Sequence, residues 1–427
     1  MNYAFTNCTM IEGPADKLPL SDALILVNST TGKIEQTGLR KDILIPSNYE
    51  IIDLSGRFVM PGLINAHAHL IASGKPSIGD NKSTRFLLKF LKTPVGKSLA
   101  LRMIRKNIEN ALNAGVTTIR AMGDPYYFDI KARNLVDSGR AAGPRLLVSG
   151  KLICTTGGHG DLLTPLVIDS SWEGRKAVRS NAGMLVDHIK LISTGGVTDS
   201  RKIGEAGQVQ MTLKEIGAVC EEAHRRNLTV GCHAESTRGV KEALIAGVDT
   251  IEHGADFDDE IISLFLNNPQ SLRGYSSYIP TLSAPFNILK NKNKLTDWDV
   301  VKLTNAGLVF DGQKRGVYKA IKAGIKTGCG TDSGVPFVTH YNVWEELVLL
   351  IKYGGITPAA ALEAATIGTA EIIGIDDLSG SITAGKQADM IVLSDNPLEK
   401  IETLAVPLMV AAGKTLIRNP KVKKLKF

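Results

Sequence analysis

The chain has 427 residues, of which 43% are hydrophobic and 22% are charged, and its formal net charge is +7 at pH 7. A chain of this length exceeds what one hydrophobic core usually supports, so we expect one large and one smaller domain. No run of about 18 apolar residues occurs, which argues against a membrane-spanning helix, and no nucleic-acid-binding motif accompanies the mildly basic charge.

The N-terminus, Met-Asn-Tyr-Ala-Phe-Thr, has neither the basic nor the apolar region of a secretory signal. The five cysteines are an odd number without framework spacing, which is typical of free thiols in a reducing compartment. We therefore expect a cytoplasmic protein with no membrane and no nucleic-acid partner. The basic residues near the C-terminus are expected to form a solvated tail, and they are Lys421, Lys423, Lys424 and Lys426.

Both ends of the chain contain short apolar runs of the kind that forms strands. These runs lie at residues 23–27, 50–54, 388–393, 408–411 and 413–417. Turn signals separate the runs, and one of them is Ser55-Gly56. Because neither end is long enough for its own core, residues 1–58 and 382–427 are predicted to pair into one small β-sandwich domain.

The middle of the chain alternates strand-like runs with helical patterns. Strands are predicted at residues 59–66, 117–122, 145–150, 188–192, 228–233, 250–254, 278–282 and 326–332, and helices at 99–114, 213–226 and 312–323. This alternation predicts a mixed α/β fold in which residues 59–381 form a (β/α)8 TIM barrel. An open doubly wound sheet is the alternative, but Pro61-Gly62 is not the Gly-rich phosphate motif that such a sheet would have after its first strand.

Unusual polar residues lie at the C-terminal ends of five predicted strands. They are His67, His69, Lys190, His233, His253 and Asp332. In a parallel barrel these strand ends meet on one face. His67 and His69 are two positions apart, so on a strand both side chains point the same way and can bind one ion. Imidazole ligands with one carboxylate favour Zn or a similar divalent metal.

Lys190 is the unexpected member of this set, because an ammonium group repels metal ions. Burial lowers the pKa of a lysine and makes the neutral amine available for reaction. With CO2 the amine can form a carbamate, an anion whose two oxygens can bridge two metal ions. Such a bridge would be stabilised by the ions that it joins.

Several motifs together closely resemble those of the amidohydrolase superfamily. They are most similar to its imidazolonepropionase-related and prolidase-like branch, which includes Xaa-Pro dipeptidases and Zn carboxypeptidase-like enzymes. The motifs are Val-Met-Pro-Gly-Leu-Ile-Asn-Ala-His-Ala-His at 59–69, Ile-Lys-Leu-Ile-Ser-Thr-Gly-Gly-Val at 189–197, His-Ala-Glu at 233–235, Ile-Glu-His-Gly at 251–254 and Gly-Thr-Asp-Ser-Gly at 330–334. The resemblance extends over essentially the whole chain.

The resemblance implies a specific role for each of these polar residues. One metal would be held by His67, His69 and Asp332 and a second by His233 and His253, with carboxylated Lys190 as the bridge. A hydroxide shared by the two metals would attack a substrate carbonyl. Asp332 would act as general base and then protonate the leaving amine.

Two further residues are expected to contact the substrate. His159 lies in a Gly-rich loop at 155–161, and because the corresponding histidine of prolidase-like relatives faces the substrate, it is expected to bind a carbonyl or carboxylate. Local hydrogen bonding alone is the alternative. Glu235 stands where dipeptidase-like relatives often have tyrosine, which favours a cationic or amide N–H partner, or proton transfer. A solvent-facing Glu235 without a role is the alternative.

The sequence thus predicts a metal-dependent amidohydrolase that acts on a small molecule, with a dipeptide or an N-acyl amino acid favoured. A second hypothesis is a mononuclear deaminase or cyclic amide hydrolase, in which Lys190 stays unmodified and Glu235 carries protons. A third is a non-catalytic scaffold, which the full set of ligands disfavours. By analogy with relatives, a homo-oligomer is also possible.

Overall fold

The computed structural model describes residues 2–76, 81–295 and 300–425, so Lys426 of the expected tail lies outside the described residues. The strands are β1 (Asn2–Met10), β2 (Leu20–Asn28), β3 (Lys33–Leu39), β4 (Tyr49–Pro61), β5 (Leu63–Ala68), β6 (Val116–Ala121), β7 (Arg145–Val148), β8 (Ile153–Cys154), β9 (Leu166–Val167), β10 (His188–Ile192), β11 (Thr229–Ala234), β12 (Thr250–His253), β13 (Ser277–Ile279), β14 (Met390–Leu393), β15 (Met409–Ala412) and β16 (Thr415–Ile417).

Helices lie between and after the strands of the middle region. They are α1 (Asn81–Leu91), α2 (Pro94–Asn113), α3 (Phe128–Asp137), α4 (Ser171–Ala182), α5 (Leu213–His224), α6 (Thr237–Ile245), α7 (Asp259–Leu266), α8 (Ser283–Lys290), α9 (Val300–Lys322), α10 (Val343–Leu349), α11 (Pro358–Ala364) and α12 (Ile367–Ile373). The three predicted helices correspond to α2, α5 and α9, and α9 begins well before the predicted residue 312. Within the described ranges, no helix combines the length and apolar character needed to cross a membrane.

Strands from both chain ends form one seven-stranded sheet. Its order is β16-β15-β14-β4-β1-β2-β3, and the ends join where β14 pairs antiparallel with β4. Side chains from both ends share one hydrophobic cluster, which includes Phe5, Ile25, Met390 and Val392. The small β domain built from the two ends is therefore confirmed, while its limits at residues 58 and 382 stay a prediction.

The turn predicted at Ser55-Gly56 is wrong, because β4 continues through these residues as a bulge. Thr6 of β1 faces Asp53, whereas Cys8 faces Arg57, so extra residues of β4 are left between the two pairs. Ser55 and Gly56 both adopt a positive φ, of 51° and 77°. A turn signal in the sequence here marks a bulge, because β4 pairs with β1 on both sides of it.

The predicted barrel is confirmed by the pairing of the middle strands. The parallel strands occur in the orders β5-β6-β7 and β13-β12-β11-β10-β8, and Asp187 N donates to Val148 O (2.8 Å) between the two groups. The eighth segment, 326–333, is not a regular strand but closes the ring. On one side Tyr278 N donates to Lys326 O (2.9 Å), and on the other Ala66 N donates to Cys329 O (2.8 Å).

The first barrel strand starts later than the predicted residue 59. Residues 59–61 still belong to β4, where Val59 pairs with Val392, and β5 begins at Leu63. Gly62 makes the corner between the two sheets. A Cβ atom on Gly62 would lie 2.2 Å from Thr117 Cγ2, so only glycine fits this close approach.

Alternation of side chains along β10 places Lys190 on the inner face of the barrel. Ile189 and Leu191 are fully buried in the main hydrophobic cluster between strands and helices. Lys190 therefore points to the barrel interior, as predicted, and it lines the cavity at the C-terminal mouth.

Candidate active site

A cavity of about 220 Å³ opens at the C-terminal ends of the barrel strands. All six predicted metal-binding residues line it, and they are His67, His69, Lys190, His233, His253 and Asp332. Ring centroids are 4.8 Å apart for His67 and His253, and 4.6 Å apart for His233 and His253. Residues far apart in sequence are thus brought together in one pocket.

Each of the four histidines uses one ring nitrogen to contact the protein. The contacts are His67 Nδ1 with Glu252 (2.8 Å), His69 Nδ1 with Gly123 O (3.0 Å), His253 Nδ1 with Thr281 Oγ1 (2.7 Å) and His233 Nε2 with Gly195 O (3.1 Å). Such contacts fix the orientation and tautomer of a ligand histidine. The opposite nitrogen of each ring remains available for an ion.

Several residues that line the cavity have buried polar atoms for which the described part of the chain offers no hydrogen-bond partner. They are His67 Nε2, Lys190 Nζ, Glu235 Oε2 and Asp332 Oδ1. Asp332 Oδ1 lies 3.5 Å from His67 Nε2 and 3.3 Å from His69 Nε2. Buried polar groups are normally satisfied, and unsatisfied ones need an explanation such as an ion. The donor set of imidazole, carboxylate and amine therefore fits a cation centre.

Two clusters have the geometry needed to hold a metal ion. One is His67, His253 and Asp332, and the other is His233, Glu235 and His253, with all candidate ligand atoms of a cluster within 4.8 Å of one another. The two clusters share His253. This arrangement allows one ion or two neighbouring ions.

The electrostatics of the cavity disfavour protonation of Lys190 and His67, whereas Asp332 raises the pKa of His69 against the effect of burial. Burial lowers the pKa of Lys190, although Glu252 and Asp332 act in the opposite direction. Burial and the nearby Lys190 also hold the pKa of His67 well below its usual value. Burial alone would raise the pKa of Asp332, but the nearby His69, His67 and Lys190 bring it below its usual range. Neutral nitrogens and an ionised carboxylate are the forms that bind metals.

Sequence reasoning missed a buried ion pair beneath the histidines. Arg120 donates from Nη2 to Glu252 Oε1 (2.6 Å) and from Nε to Ala66 O (2.7 Å). Both side chains are almost completely buried, at 2% and 0% exposure. Glu252 thereby joins Arg120 to His67. An arginine within the strand-like run Val-Thr-Thr-Ile-Arg-Ala was the available signal, since such a buried cation requires an acid.

Asp124 is a second residue that sequence reasoning missed. Its carboxylate accepts hydrogen bonds from Leu70 N (3.1 Å) and Ile71 N (3.0 Å), directly after His69. Burial raises the pKa of Asp124 to about 6, although His69 opposes the shift. Asp124 therefore fixes the backbone that carries His69.

The two residues predicted to contact substrate also line the cavity. The His159 ring lies 4.7 Å from the His233 ring, and its Nδ1 lies 2.7 Å from Asp199 Oδ1. The Glu235 side chain is only 8% exposed, and its Oε2 lies 3.9 Å from His233 Nε2. Burial, Asp332 and Asp199 raise the pKa of Glu235 well above its usual value. Glu235 is therefore not solvent-facing, and the substrate contacts themselves stay predictions.

The remaining wall of the cavity is largely apolar. Its members include Ile71, Leu152, Leu163, Ile192, Val197, Pro285, Ile288, Val309 and Val335. Ligand sites commonly combine such a wall with a few polar groups that fix the orientation of the ligand. The cavity is thus suited to a small molecule with an apolar part.

Comparison with known proteins agrees with this geometry. The profile of the amidohydrolase family matches residues 58–414. Ochratoxinase from Aspergillus niger is 27% identical over 442 aligned positions, which cover 96% of this chain and 85% of that protein. A protein from Bifidobacterium longum, described as a candidate prolidase, has a solved structure with a TM-score of 0.87 and 37% identity, covering 99% of this chain and 96% of that one.

A solved Xaa-Pro dipeptidase with bound methionine in its active site is also similar. Its TM-score is 0.84 at 28% identity, covering 98% of this chain and 100% of that one. The family match and the two similar structures all extend over most of the chain. The chain therefore belongs to the amidohydrolase family, in its prolidase-like branch.

Proposed function

We propose that the protein is a metal-dependent hydrolase that cleaves an amide bond in a small molecule, with a dipeptide or an N-acyl amino acid as substrate. One observation carries the proposal: within the described residues, buried atoms of His67, Lys190 and Asp332 at the barrel mouth have no hydrogen-bond partner. The family assignment supports the reaction class. The dipeptidase among the similar structures supports the choice of substrate.

The metal ligands follow from the strand ends that reach the cavity. His67, His69 and Asp332 would hold one divalent ion, and His233 and His253 would hold a second, with Zn as the favoured metal. When bound, such ions lower the pKa of water and polarise a carbonyl. Glu252, Gly123, Thr281 and Gly195 orient the four imidazole rings toward these ions.

Lys190 would join the two halves of the centre. No described residue makes a hydrogen bond with its buried Nζ, and a neutral amine can attack CO2. In that reaction an N–C bond forms and one proton leaves, which gives a carbamate anion in place of a cation. The negative charge would relieve the repulsion that an ammonium group would exert on the ions.

The other polar residues would move protons and bind substrate. Asp332 lines the cavity and would accept the proton of the attacking water and later deliver it to the leaving amine. His159 would bind a carbonyl or carboxylate oxygen of the substrate. Glu235 would bind an N–H group or a cation on the same molecule, because its Oε2 is buried and accepts no hydrogen bond from the described residues.

Glu235 also favours a second candidate function. A buried glutamate beside His233 could transfer protons in a mononuclear deaminase or cyclic amide hydrolase with an unmodified Lys190. The metal content separates the two proposals, because about two ions per chain support the binuclear centre and one ion supports the alternative.

The test is a hydrolysis screen with zinc-loaded protein grown with bicarbonate. Dipeptides, N-acyl amino acids, lactams and lactones are compared by release of the amine or acid product. We expect dipeptides or N-acyl amino acids to be cleaved, and Asp332→Asn to abolish the cleavage. Turnover of lactams alone would favour the alternative function. Unchanged turnover by the Asp332→Asn variant would refute the role of Asp332.

A further inference from the structure

The His159 ring is fixed by the loop that follows β10. His159 Nδ1 lies 2.7 Å from Asp199 Oδ1, and Asp199 Oδ2 accepts a hydrogen bond from Gly160 N at 3.2 Å. The backbone N of His159 donates to Gln210 Oε1 at 2.9 Å. Side chain and backbone of His159 are thus held by two residues of one neighbouring segment, and the ring is directed at the cavity beside His233.

Gly196 provides the space for this ring. A Cβ atom on Gly196 would lie 2.4 Å from both His159 Cε1 and Nε2, much closer than van der Waals contact. Only glycine therefore lets the ring lie flat against the backbone at this position. Gly196 belongs to the Ser-Thr-Gly-Gly stretch that begins directly after β10.

The contact with Asp199 also selects which ring nitrogen can meet a ligand. Nδ1 is occupied by Asp199, and within the described part of the chain no partner is found for Nε2. The two nitrogens of an imidazole are chemically distinct, and a carboxylate on one of them fixes both ring orientation and tautomer. His159 can therefore approach a substrate only through Nε2.

We propose that Asp199 is a positioning residue for His159, and that Gly196 forms the floor of the slot in which the ring lies. The proposal rests on the proposed function, because it assigns how one substrate-binding group of that site is held. Asp199 acts through His159 and does not itself bind the substrate. Removal of Asp199 frees the ring, so the polar group of the substrate loses its oriented partner.

A double-mutant cycle tests whether Asp199 acts through His159. kcat and KM are measured for the wild type, Asp199→Ala, His159→Ala and the double variant, with N-acetyl-L-leucine and L-leucyl-L-leucine as probes. We expect Asp199→Ala to lower kcat/KM by about 10- to 100-fold, and to have less than about a 2-fold effect when His159 is already alanine. Asp199→Asn, which keeps an acceptor for Nδ1–H, should recover part of the loss. Equal losses in both backgrounds would overturn the proposal.

Asp169 provides a matched control, because it contacts the same loop at 155–161 that carries His159. Its carboxylate accepts hydrogen bonds from Thr156 N (3.0 Å) and Thr156 Oγ1 (2.6 Å), and it does not contact His159. Asp169→Ala should leave kcat/KM within about 2-fold of the wild type. A loss as large as that of Asp199→Ala would mean that general loosening of the loop, and not the position of the ring, explains the effect.

Crystal structures of the zinc-loaded variants give a readout that does not depend on turnover. In Asp199→Ala and Gly196→Ala the ring should leave its place beside His233, whereas Gly217→Ala, where a Cβ meets nothing within 4 Å, should leave it unchanged. A ring that stays in place in Asp199→Ala refutes the positioning role. Absence of turnover by the wild type would instead count against the proposed substrates, and the ring position would still decide the role of Asp199.

Discussion

Glu252→Gln is the substitution whose effect follows most directly from the structure. Glu252 contacts the metal-facing His67 with one oxygen (2.8 Å) and the Arg120 guanidinium with the other (2.6 Å). The exposed fractions of the Arg120 and Glu252 side chains are 2% and 0%. The substitution keeps the shape of the side chain but leaves Arg120 as a buried cation without a charged partner.

The expected loss of stability can be estimated from this geometry. Removal of one partner of a buried ion pair costs about 3–5 kcal/mol. The glutamine oxygen can still accept a hydrogen bond from Arg120, so we expect the lower end, about 3 kcal/mol. This loss is a large fraction of the free energy of unfolding of a typical domain, which is about 5–15 kcal/mol. The glutamine also removes the carboxylate that orients His67, so zinc affinity should fall by about 10- to 100-fold.

Urea unfolding of the metal-free protein and competition for zinc with a chelator measure the two effects separately. Glu221→Gln is the matched control, because each oxygen of Glu221 also has a basic partner, Arg175 or Arg225, but its side chain is 46% exposed. An exposed pair of this kind contributes at most about 1 kcal/mol. If Glu252→Gln lowers the free energy of unfolding no more than Glu221→Gln and leaves zinc affinity unchanged, the assigned role of the buried pair is wrong.

Three further predictions concern other parts of the molecule. Lys190→Ala should reduce the zinc content measured by mass spectrometry from about two ions per chain to one or none, whereas an unchanged content would exclude a bridging role. Burial raises the pKa of Glu346 to about 7. Protonated Glu346 therefore contributes fully to stability at pH values below the ordinary pKa of a glutamate, and this contribution is lost as the pH rises through about 7. The stability of the wild type relative to Glu346→Gln should therefore fall by about 3 kcal/mol between pH 5 and 8.5, and a pH-independent difference would contradict this. Thr212→Ala removes the capping box at the start of α5 and should cost about 1 kcal/mol in thermal unfolding, while no change in midpoint would show that the cap is dispensable.

The barrel and its mouth could be predicted because they depend on local patterns. Alternation around Lys190 indicated which side chains of β10 face inward, and the order of strands and helices indicated a closed parallel sheet. The shared β domain was predictable for the same reason, since short strand signals occur at both ends. Because the histidines lie at the ends of predicted strands, the sequence indicated that they would line the cavity, although it gave no distances between them.

Features that depend on contacts between distant segments could not be predicted. Arg120 and Glu252 lie on different strands, and each looks ordinary until the barrel brings them together. Asp199 lies in an irregular loop with no periodicity that would relate it to His159. The turn signal at Ser55-Gly56 marks a bulge instead, because β4 pairs with β1 on both sides of it.

The position of β14 between β4 and β15 has a consequence for the order of events during synthesis. β4 cannot complete its pairing until residues 390–393 have left the ribosome, long after the barrel strands have emerged. Until then β4 presents an open edge with unpaired backbone groups, which can join a strand of another chain. Strand β14 thus covers the edge of β4, and nascent chains cut short before residue 390 leave that edge open to pairing with another chain.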